Sequence, residues 1–377
     1  MGGAMRVDVA IAGGGIIGLA LGLELRRRGL SVAVLERGRA MRAASWAAGG
    51  MLAVDDPQNP KELMPLARLS RELYPDWLAQ LEGLSGMKAP LRTGRTLQWV
   101  EGEGVEGKLA TAEEIRELAP GLRMDGLAFR LLEEASLDPR DLCAALPAAF
   151  QAAGGRLVEG CEVVGVERAG AGVVVRTRRA GKISELDSEE GEVAAGNFVN
   201  CCGAWAGSLK RAESAPIGGR DLHDLPVEPV KGQMVELRCA PERLKCVVRG
   251  RGVYLIPRGD GRVTVGSTME RVGFDERVEE GAVHGLVGAA RALLPELTMT
   301  DPLECWAGLR PGTPDGLPLL GRADMPGCWY ATGHYRDGIL LAPGTARVMA
   351  QAITGERTEV GLEAFRPGRF RSGGAAK

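Results

Sequence analysis

The sequence has few histidines, few aromatic residues and no C-x-x-C motif. Only 3 of its 377 residues are histidines and 4% are aromatic, so aliphatic side chains must fill the core. The spacing of the 8 cysteines fits neither a zinc site nor a disulfide framework. We therefore expect reduced thiols and no bound metal.

The sequence also lacks a strong net charge and a long apolar run. The formal net charge is −2 and the pI is about 6.1, which provides no general attraction to nucleic acid or to an anionic membrane. The longest apolar run, residues 16–23, is far shorter than a membrane-spanning helix. Residues 6–11 have a strand pattern and not that of a signal peptide. These features predict a cytoplasmic protein with neither nucleic acid nor membrane as a partner.

Glycine, in contrast, is abundant, with 55 residues. That is about twice its usual share of roughly 7%. No Gly-X-Y period is present and 45% of the residues are apolar, so neither a collagen-like nor a disordered chain is predicted. The preference for arginine (39) over lysine (8) indicates a coding bias. The glycines therefore have two interpretations, either as builders of functional turns or as a consequence of that bias.

A glycine fingerprint stands between a predicted strand and a predicted helix. Residues 6–12 have the pattern of a buried parallel strand, and Gly13-x-Gly15-x-x-Gly18 then opens an apolar helix. In a dinucleotide-binding βαβ unit these glycines permit the turn, the approach of the pyrophosphate and close helix–strand packing. Glu36 ends the next strand, where a carboxylate accepts from ribose hydroxyls and repels a 2′-phosphate. The fingerprint predicts FAD or NAD; an ordinary βα turn is the alternative.

FAD and NAD are harder to separate. NAD-dependent enzymes usually pair the binding unit with a catalytic domain that bears a histidine or cysteine, and this chain has few histidines. Flavoproteins that also use NADPH carry a second dinucleotide site. The second match, residues 102–107, is rich in glutamate and is predicted to be a surface turn. A single bound flavin is the simpler interpretation.

Periodicity and capping signals place further elements along the chain. Pro147 predicts a kink or an early end of the helix that contains it. The predicted elements are helices over 61–82, 139–153 and 282–294, a helix opened by the capping box of Thr111 and Glu114, paired strands at 163–167 and 173–177, a polar surface loop at 178–192 and a buried strand at 194–202.

Four further segments carry a resemblance. They are ASWAAGGML at 44–52, NCCGAW at 200–205, WAGLRPGTPDG at 306–316 and ATGHYRDGILLAP at 331–343. Together with the fingerprint, they resemble the D-amino acid oxidase superfamily of flavoproteins over nearly the whole chain. Within it, they are most similar to the glycine oxidases of bacterial thiamine biosynthesis. Residues 229–234 also resemble the segment that leads into the substrate domain of that family.

The resemblance implies an α/β fold with a Rossmann-like FAD-binding domain and an inserted antiparallel-sheet substrate domain of α+β type. The positions of the motifs imply a discontinuous FAD-binding domain at 1–86, 138–212 and 304–370. The substrate domain then comprises 87–137 and 213–303, and 371–377 form a flexible tail.

The resemblance also implies the catalytic residues. Arg310 matches the arginine that grips the substrate carboxylate, and a planar guanidinium suits that task. Tyr254 matches a tyrosine that donates to the same carboxylate, although a half-buried strand tyrosine is the alternative. Arg336 is placed near the active site. Met51 and Met269, with Gly50, match the substrate pocket, although such methionines are also common in plain cores.

The cofactor-binding residues follow from the same motifs. Small residues at 44–50 let backbone amides face the flavin, and the helix start near Gly338 directs N–H groups at the flavin ring. The predicted set is Gly13, Gly15, Ile16, Ile17, Gly18, Glu36, Arg37, Ser45, Ala48, Gly49, Gly50, Met51, Val163, Gly203, Trp205, Gly308, Arg310, His334, Arg336, Asp337, Gly338, Ile339 and Leu340.

The implied activity is oxidation of glycine, sarcosine or D-alanine. Hydride passes from the substrate Cα to flavin N5, giving an imine, and O2 reoxidises the flavin with release of H2O2. A sarcosine or D-amino acid oxidase or dehydrogenase of the same fold is the alternative, followed by a non-catalytic flavin-binding subunit. Where some relatives have a histidine, this sequence has Gly252, which removes one polar wall. The resemblance also implies a homotetramer and a role in thiazole synthesis.

FAD is predicted to be bound without a covalent link. The covalent attachment of related sarcosine oxidases uses a cysteine that precedes the Thr-Pro-Asp segment by six residues. In this sequence the corresponding positions hold Ala307 and Gly308, and Cys305 is out of register.

Overall fold

A computed structural model describes residues 5–100, 108–124, 126–179, 190–211, 225–299 and 301–370. The second glycine-rich match at 102–107, the centre of the predicted polar loop and the predicted tail at 371–377 lie outside these ranges. Within them, no helix is long and apolar enough to cross a membrane.

The described chain forms two large sheets and a small two-stranded one. In chain order, the strands are β1 (Met5–Ala12), β2 (Val32–Glu36), β3 (Leu91–Thr93), β4 (Thr96–Val100), β5 (Ala128–Leu132), β6 (Ser136–Leu137), β7 (Arg156–Glu159), β8 (Cys161–Ala169), β9 (Gly172–Arg179), β10 (Glu190–Asn200), β11 (Lys210–Arg211), β12 (Glu228–Arg238), β13 (Val247–Arg249), β14 (Tyr254–Pro257), β15 (Arg262–Gly266), β16 (Glu304–Gly312), β17 (Leu319–Arg322) and β18 (Cys328–Thr332). The helices are α1 (Ile16–Arg27), α2 (Ala44–Ala47), α3 (Met64–Ser85), α4 (Ala112–Leu118), α5 (Pro139–Ala152), α6 (Glu280–Leu293) and α7 (Gly338–Thr354).

The first sheet has a parallel centre. Its order is β11-β8-β9-β10-β1-β2-β7, and β18 joins β10 with β17 at its side. Strand β1 lies between β10 and β2 and is parallel to both. Val9 and Ile11 of β1 are buried in the core formed with helices α1, α5 and α7, and α3 packs on α5 and α7. The alternate residues Val7, Ala10 and Ala12 are buried in a separate core on the other face of the sheet. The β1–α1–β2 unit therefore directs the glycine turn at the carboxyl edge of the sheet, where ligands of such folds bind.

The second sheet has the order β16-β12-β15-β14-β13-β4-β5. All of its pairs are antiparallel except β4 with β13, which are parallel. The outer face packs on helices α4 and α6 in a separate apolar core. The other face turns toward the glycine edge of the first sheet and lines the cavity between them. The predicted architecture, a Rossmann-like sheet with a second and mainly antiparallel sheet, is confirmed.

Several local predictions are confirmed and others need correction. The capping box of Thr111 and Glu114 is present, and the predicted helices correspond to α3, α5 and α6. The helix does not end early at Pro147, because α5 runs to Ala152 and its apolar side packs in the first core on both sides of the proline. The predicted polar loop at 178–192 is wrong at both ends, because residues 178 and 179 belong to β9 and residues 190–192 belong to β10.

Strand β16 links the two parts of the molecule. Its segment 304–312 falls within the predicted FAD-binding domain, yet it pairs along its whole length with β12 of the second sheet. The following strands β17 and β18 return to the first sheet. Residues 306–316 thus run from the second sheet to the edge of the cavity.

Candidate active site

A cavity of about 490 Å³ lies between the two sheets. Its volume is that of a typical ligand pocket. The N-terminal fingerprint and the C-terminal motif meet there. The turn after β1, the segment around α2, one face of the second sheet and the start of α7 all line the cavity. Distant parts of the sequence therefore form one site.

Close backbone approach explains the glycines of the fingerprint. Gly13 has φ +103°, and a Cβ there would lie 2.4 Å from the carbonyl oxygen of Cys201. A Cβ at Gly18 would lie 2.0 Å from the carbonyl oxygen of Gly13. Any side chain at either position forces the turn away from β10 or α1. Gly18 does not line the cavity; its task is to let the helix pack on the turn.

Polar groups around the fingerprint suit a dinucleotide. The Glu36 carboxylate accepts from the backbone N–H groups of Gly14 (2.7 Å) and Gly38 (2.8 Å), which fixes its position and leaves lone pairs for ribose hydroxyls. The Ser45 hydroxyl accepts from the N–H of Ile16 at 3.0 Å, at the start of α1. No acidic residue occupies the first turn of α1, so the helix end is open to phosphate. The chemistry of these groups fits FAD.

The start of α7 forms another wall of the cavity. Gly333 has φ +75°, and a Cβ there would lie 2.7 Å from Cγ2 of Thr313, so the turn that precedes the helix requires glycine. Asp337 precedes α7 without a side-chain cap, which leaves the first N–H groups of the helix available to a ligand. Gly338 and Ile339 line the cavity, whereas Leu340 is buried in the apolar core.

Glycines also shape the face of the second sheet. A Cβ at Gly232 would lie 2.0 Å from Nη1 of Arg310, and a Cβ at Gly266 would lie 2.5 Å from the ring and hydroxyl of Tyr254. Each side chain therefore lies across the backbone of a glycine in a neighbouring strand. Neither glycine is among the predicted site residues, although Arg310 and Tyr254 are. Their signal was a glycine inside an alternating strand pattern, which marks close approach.

Arg310 has only neutral partners. Its Nη2 donates to Oγ of Ser267 at 2.6 Å, and its Nη1 donates to the carbonyl oxygen of Thr268 at 3.3 Å. Within the described residues it forms no ion pair with a carboxylate. A cation held in this way at a cavity wall is able to bind an anionic group of a ligand.

Arg336 differs from Arg310, because its guanidinium forms an ion pair with a carboxylate. Its Nη2 lies 3.0 Å from a carboxylate oxygen of Asp56 and 3.4 Å from Oδ1 of Asn59, and its Nη1 donates to Gln58. The same oxygen of Asp56 lies 3.2 Å from Nη1 of Arg249. Arg336 lines the cavity, but its charge is balanced by Asp56.

Arg258 fixes the backbone of the 44–52 segment. Its side chain is buried, and Nη1 donates to the carbonyl oxygens of Gly49 (3.0 Å) and Leu137 (2.8 Å). Its Nε donates to Oγ1 of Thr264 at 2.9 Å. Sequence reasoning missed this role, since one arginine among many has no distinguishing local signal.

An aromatic contact joins the segment between β15 and α6 to the cofactor end of the cavity. The ring of Phe274 stacks on Trp205 with centroids 5.5 Å apart, and the guanidinium of Arg37 lies 4.1 Å from the centroid of the same indole. Arg37 and Trp205 line the cavity beside the predicted ribose carboxylate. Phe274, which is 51% exposed, was not predicted.

Burial keeps two groups near α7 in their uncharged forms. Burial lowers the pKa of His334 to about 3, so the ring is neutral at physiological pH; its Nε2 lies 3.1 Å from Oγ1 of Thr345. Burial raises the pKa of the Asp337 carboxyl to about 7, against the opposing effect of Arg336. The wall at the start of α7 therefore carries less charge than its sequence implies.

The structure brings nearly all of the predicted site residues together. Tyr254 and Met269, like Gly50 and Met51, are at the cavity. Gly18 and Leu340 are the predicted residues that do not line it. The predicted residues at the cavity wall are Gly13, Gly15, Ile16, Ile17, Glu36, Arg37, Ser45, Ala48, Gly49, Gly50, Met51, Val163, Gly203, Trp205, Tyr254, Met269, Gly308, Arg310, His334, Arg336, Asp337, Gly338 and Ile339.

Comparisons with known proteins agree with this geometry. The model of a protein family described as FAD dependent oxidoreductase (DAO) matches residues 8–352. The chain is 35% identical to the glycine oxidase of Pseudomonas aeruginosa, over 96% of this chain and 99% of that protein. It is also 35% identical to the bifunctional protein ThiO/ThiG of Nostoc sp., over 96% of this chain and 55% of that protein.

A solved structure has the same fold. The crystal structure of glycine oxidase from Geobacillus kaustophilus superposes with a TM-score of 0.85 at 32% identity, covering 97% of this chain and 99% of that one.

Proposed function

Since the chain belongs to the family of FAD-dependent oxidoreductases, we propose that it is a glycine oxidase, acting on small amino acids at the Cα–N bond. The observation that carries the proposal is Arg310, a cation without a carboxylate partner in the described chain, placed beside Tyr254 on the cavity wall. Relatives named glycine oxidase at 35% and 34% identity over nearly the whole chain support it.

Arg310 and Tyr254 bind and orient the substrate in this proposal. Arg310 receives the carboxylate as a bidentate partner, and the Tyr254 hydroxyl, whose present contact is the Met234 sulfur at 3.8 Å, donates to the same group. Fixing the carboxylate restricts the position of the substrate Cα relative to the flavin. This proximity is what the protein contributes to the rate of the reaction. In this proposal the substrate lies on the cavity side of the second sheet, beside Gly232 and Gly266.

The cofactor, when bound, supplies two-electron oxidation of a carbon–nitrogen bond, with O2 as the final oxidant and H2O2 as its product. Gly13, Glu36 and Ser45 would hold its phosphates and ribose, and the first N–H groups of α7 would stabilise negative charge on its reduced ring. His334 stays neutral and does not compete with these donors for negative charge.

FAD is held without a covalent bond in this proposal. Gly308 and Arg310 of β16 line the cavity, and Cys305 lies an odd number of residues from each, so it is on the opposite face of the strand, where it packs against the core of the second sheet. Cys201 and Cys202 do line the cavity, but burial raises the pKa of both thiols, that of Cys202 to about 12. Acid precipitation is expected to release all flavin into the supernatant; yellow protein in the pellet contradicts this.

A specific observation also favours substrates larger than glycine. Gly252 lines the cavity, and no heavy atom lies within 4 Å of the position of a Cβ there. This open space accommodates an N-methyl or Cα-methyl group, so sarcosine and D-alanine are the second candidates. The proposed setting is the cytoplasm, with thiamine biosynthesis supported by the ThiO/ThiG relative and a homotetramer by the family resemblance.

A peroxide-coupled assay tests the proposal. The purified flavoprotein is supplied with glycine, sarcosine or D-alanine in air, and H2O2 and flavin reduction are followed. Oxidation of at least one of the three is expected. Bound flavin that none of them reduces overturns the proposal, and reduction without peroxide identifies a dehydrogenase instead.

A further inference from the structure

The segment that holds Arg310 lies at the surface and needs an anchor. Arg310 donates to the hydroxyl of Ser267 and to the backbone carbonyl of Thr268, the two residues that follow β15. The next residue, Met269, is 61% exposed. Exposed segments open locally at little cost in free energy unless buried groups tie them down. The position of the guanidinium therefore depends on how residues 267–270 are attached to the rest of the sheet.

Strand β12 provides the backbone attachment. The N–H of Thr268 donates to the carbonyl oxygen of Gln233 at 3.3 Å, and the N–H of Gln233 donates to Oγ1 of Thr268 at 2.8 Å. Lys231 and Glu270 exchange two backbone hydrogen bonds, of 2.9 and 3.0 Å. Gly232, between the two residues of β12, lines the cavity. Because successive residues of a strand point to opposite faces, the side chains of Lys231 and Gln233 lie on the face away from the cavity.

These two side chains are fully buried, and both hold Glu270. Nε2 of Gln233 donates to Oε1 of Glu270 at 2.8 Å, and Nζ of Lys231 lies 3.6 Å from Oε2 of the same carboxylate. Nζ also lies 3.1 Å from Oε1 of Glu279, the residue before α6. The N–H of Glu279 donates in turn to Oε1 of Gln233 at 2.7 Å. One polar cluster therefore joins the exposed segment to β12 and to the start of α6.

The charges of this cluster oppose movement of the segment. Partial burial favours the neutral carboxyl of Glu270, but hydrogen bonds from Thr268 and Gln233 favour its ionised form. The nearby charge of Lys231 acts in the same direction, so the pKa of this carboxyl is below its usual value. If the carboxylate moves away, the buried ammonium loses part of its compensation, which is costly. The ion pair thus holds residues 267–270 against β12.

We propose that Lys231 is a positioning residue for the substrate carboxylate, because through Glu270 it fixes the segment whose oxygens hold Arg310. The inference rests on the proposed oxidation of small amino acids, in which Arg310 binds the carboxylate. Without the charge of Lys231, the segment and the guanidinium shift and the carboxylate binds more weakly. The cofactor end of the cavity, which the first sheet forms, keeps its geometry. A role in stability alone would lower the melting temperature without this selective loss.

The test compares Lys231→Met with the unmodified flavoprotein. Methionine keeps an unbranched stem and removes the charge. Acetate, a simple carboxylate, is titrated while the flavin absorbance is followed, and kcat and KM for glycine are measured. We expect the Kd of acetate and the KM for glycine to rise about 5- to 10-fold, with kcat changed about twofold or less. Lys88→Met, which removes an exposed ion pair with Glu82, is the control and leaves these constants unchanged.

A double-mutant cycle shows whether Lys231 acts through Arg310. In the Arg310→Lys background the bidentate grip is already lost, so Lys231→Met is expected to change the KM for glycine less than about twofold. An equal rise of KM in both backgrounds overturns the inference. If Lys231→Met does not bind flavin, Glu270→Gln decides the question. It weakens the same ion pair at a side chain that is 23% exposed, and the Kd of acetate is expected to rise about threefold or more.

The outcomes separate the two proposals. Acetate affinity that is unchanged in Lys231→Met and in Glu270→Gln overturns the inference, even if the melting temperature falls. Failure of the unmodified flavoprotein to oxidise glycine, sarcosine and D-alanine overturns the proposed function instead. The acetate titration does not depend on turnover, so it decides the inference in that case as well.

Discussion

Arg258 donates through Nη1 to the backbone carbonyl of Gly49 at 3.0 Å, and this bond ties the second sheet to the segment that borders the cofactor end of the cavity. The arginine follows β14, the strand that carries Tyr254. Substrate-binding and cofactor-binding groups are thereby held in one rigid frame, since a buried guanidinium with several acceptors has little freedom.

Replacement of Arg258 by lysine is expected to destabilise the protein. One ammonium cannot reach Gly49, Leu137 and Thr264 together, so buried acceptors lose their donor, at a cost of about 2–4 kcal/mol. Thermal unfolding of the flavin-bound protein measures this. Arg277→Lys, at an exposed ion pair with Asp275, is the control and is expected to leave the melting temperature unchanged. Equal melting temperatures for both variants would show that Arg258 holds nothing essential.

Arg310 and Arg336 are expected to respond differently to the same substitution. Arg310→Lys loses the bidentate grip on the carboxylate, so kcat/KM for glycine should fall about 100-fold or more. Arg336→Lys keeps a positive charge beside Asp56, so kcat/KM for glycine should fall only about tenfold or less. Steady-state kinetics of the two variants provide the measurement. A larger loss of kcat/KM for Arg336→Lys than for Arg310→Lys would show that Arg336, and not Arg310, binds the substrate carboxylate.

Gly232→Ala is expected to displace Arg310. The added methyl would lie 2.0 Å from Nη1, and the flexible guanidinium moves more easily than the strand does. KM for glycine should rise about tenfold or more, with a change in stability of about 1 kcal/mol or less. Gly83→Ala in α3, where a Cβ meets nothing within 4 Å, is the matched control. Unchanged KM in both variants would refute the assignment of Gly232 to the site.

Loss of the Phe274 ring is expected to speed the release of FAD. The ring covers Trp205, which borders the cofactor end of the cavity, and an aromatic pair is worth about 0.5–1.5 kcal/mol. Phe274→Ala should therefore increase the dissociation rate of flavin about 3- to 10-fold. The rate is measured after dilution from the fluorescence of the released FAD. Val272→Ala, from the same exposed segment, should release flavin at the original rate.

Asp337 is expected to make stability fall as pH rises. Burial raises the pKa of its carboxyl from 3.8 to about 7. Between these values the unfolded chain loses the proton that the folded chain keeps, which favours unfolding as pH increases. Asp337→Asn removes this effect, so its melting temperature should match that of the unmodified protein near pH 4 and exceed it at pH 8. A constant difference across that range would contradict the raised pKa.

The sequence by itself determined the local elements and predicted most of the residues that line the cavity. Gly13, Gly15 and Gly18 between a strand and a helix specify a dinucleotide turn through backbone sterics alone. The 306–316 and 331–343 motifs predicted roles for Arg310 and the start of α7 through their resemblance to a known family, which depends on residue types at fixed spacing. Such signals are local and therefore readable before folding.

Only the tertiary structure decided which groups are free to act. Arg310 and Arg336 look alike in sequence, but folding places Asp56 beside Arg336 and neutral oxygens beside Arg310. The same holds for Arg249, whose partners come from residues more than 100 positions away along the chain. Charge balance, burial and the clearance above a glycine depend on distant segments that meet in space, so no local pattern in the sequence records them.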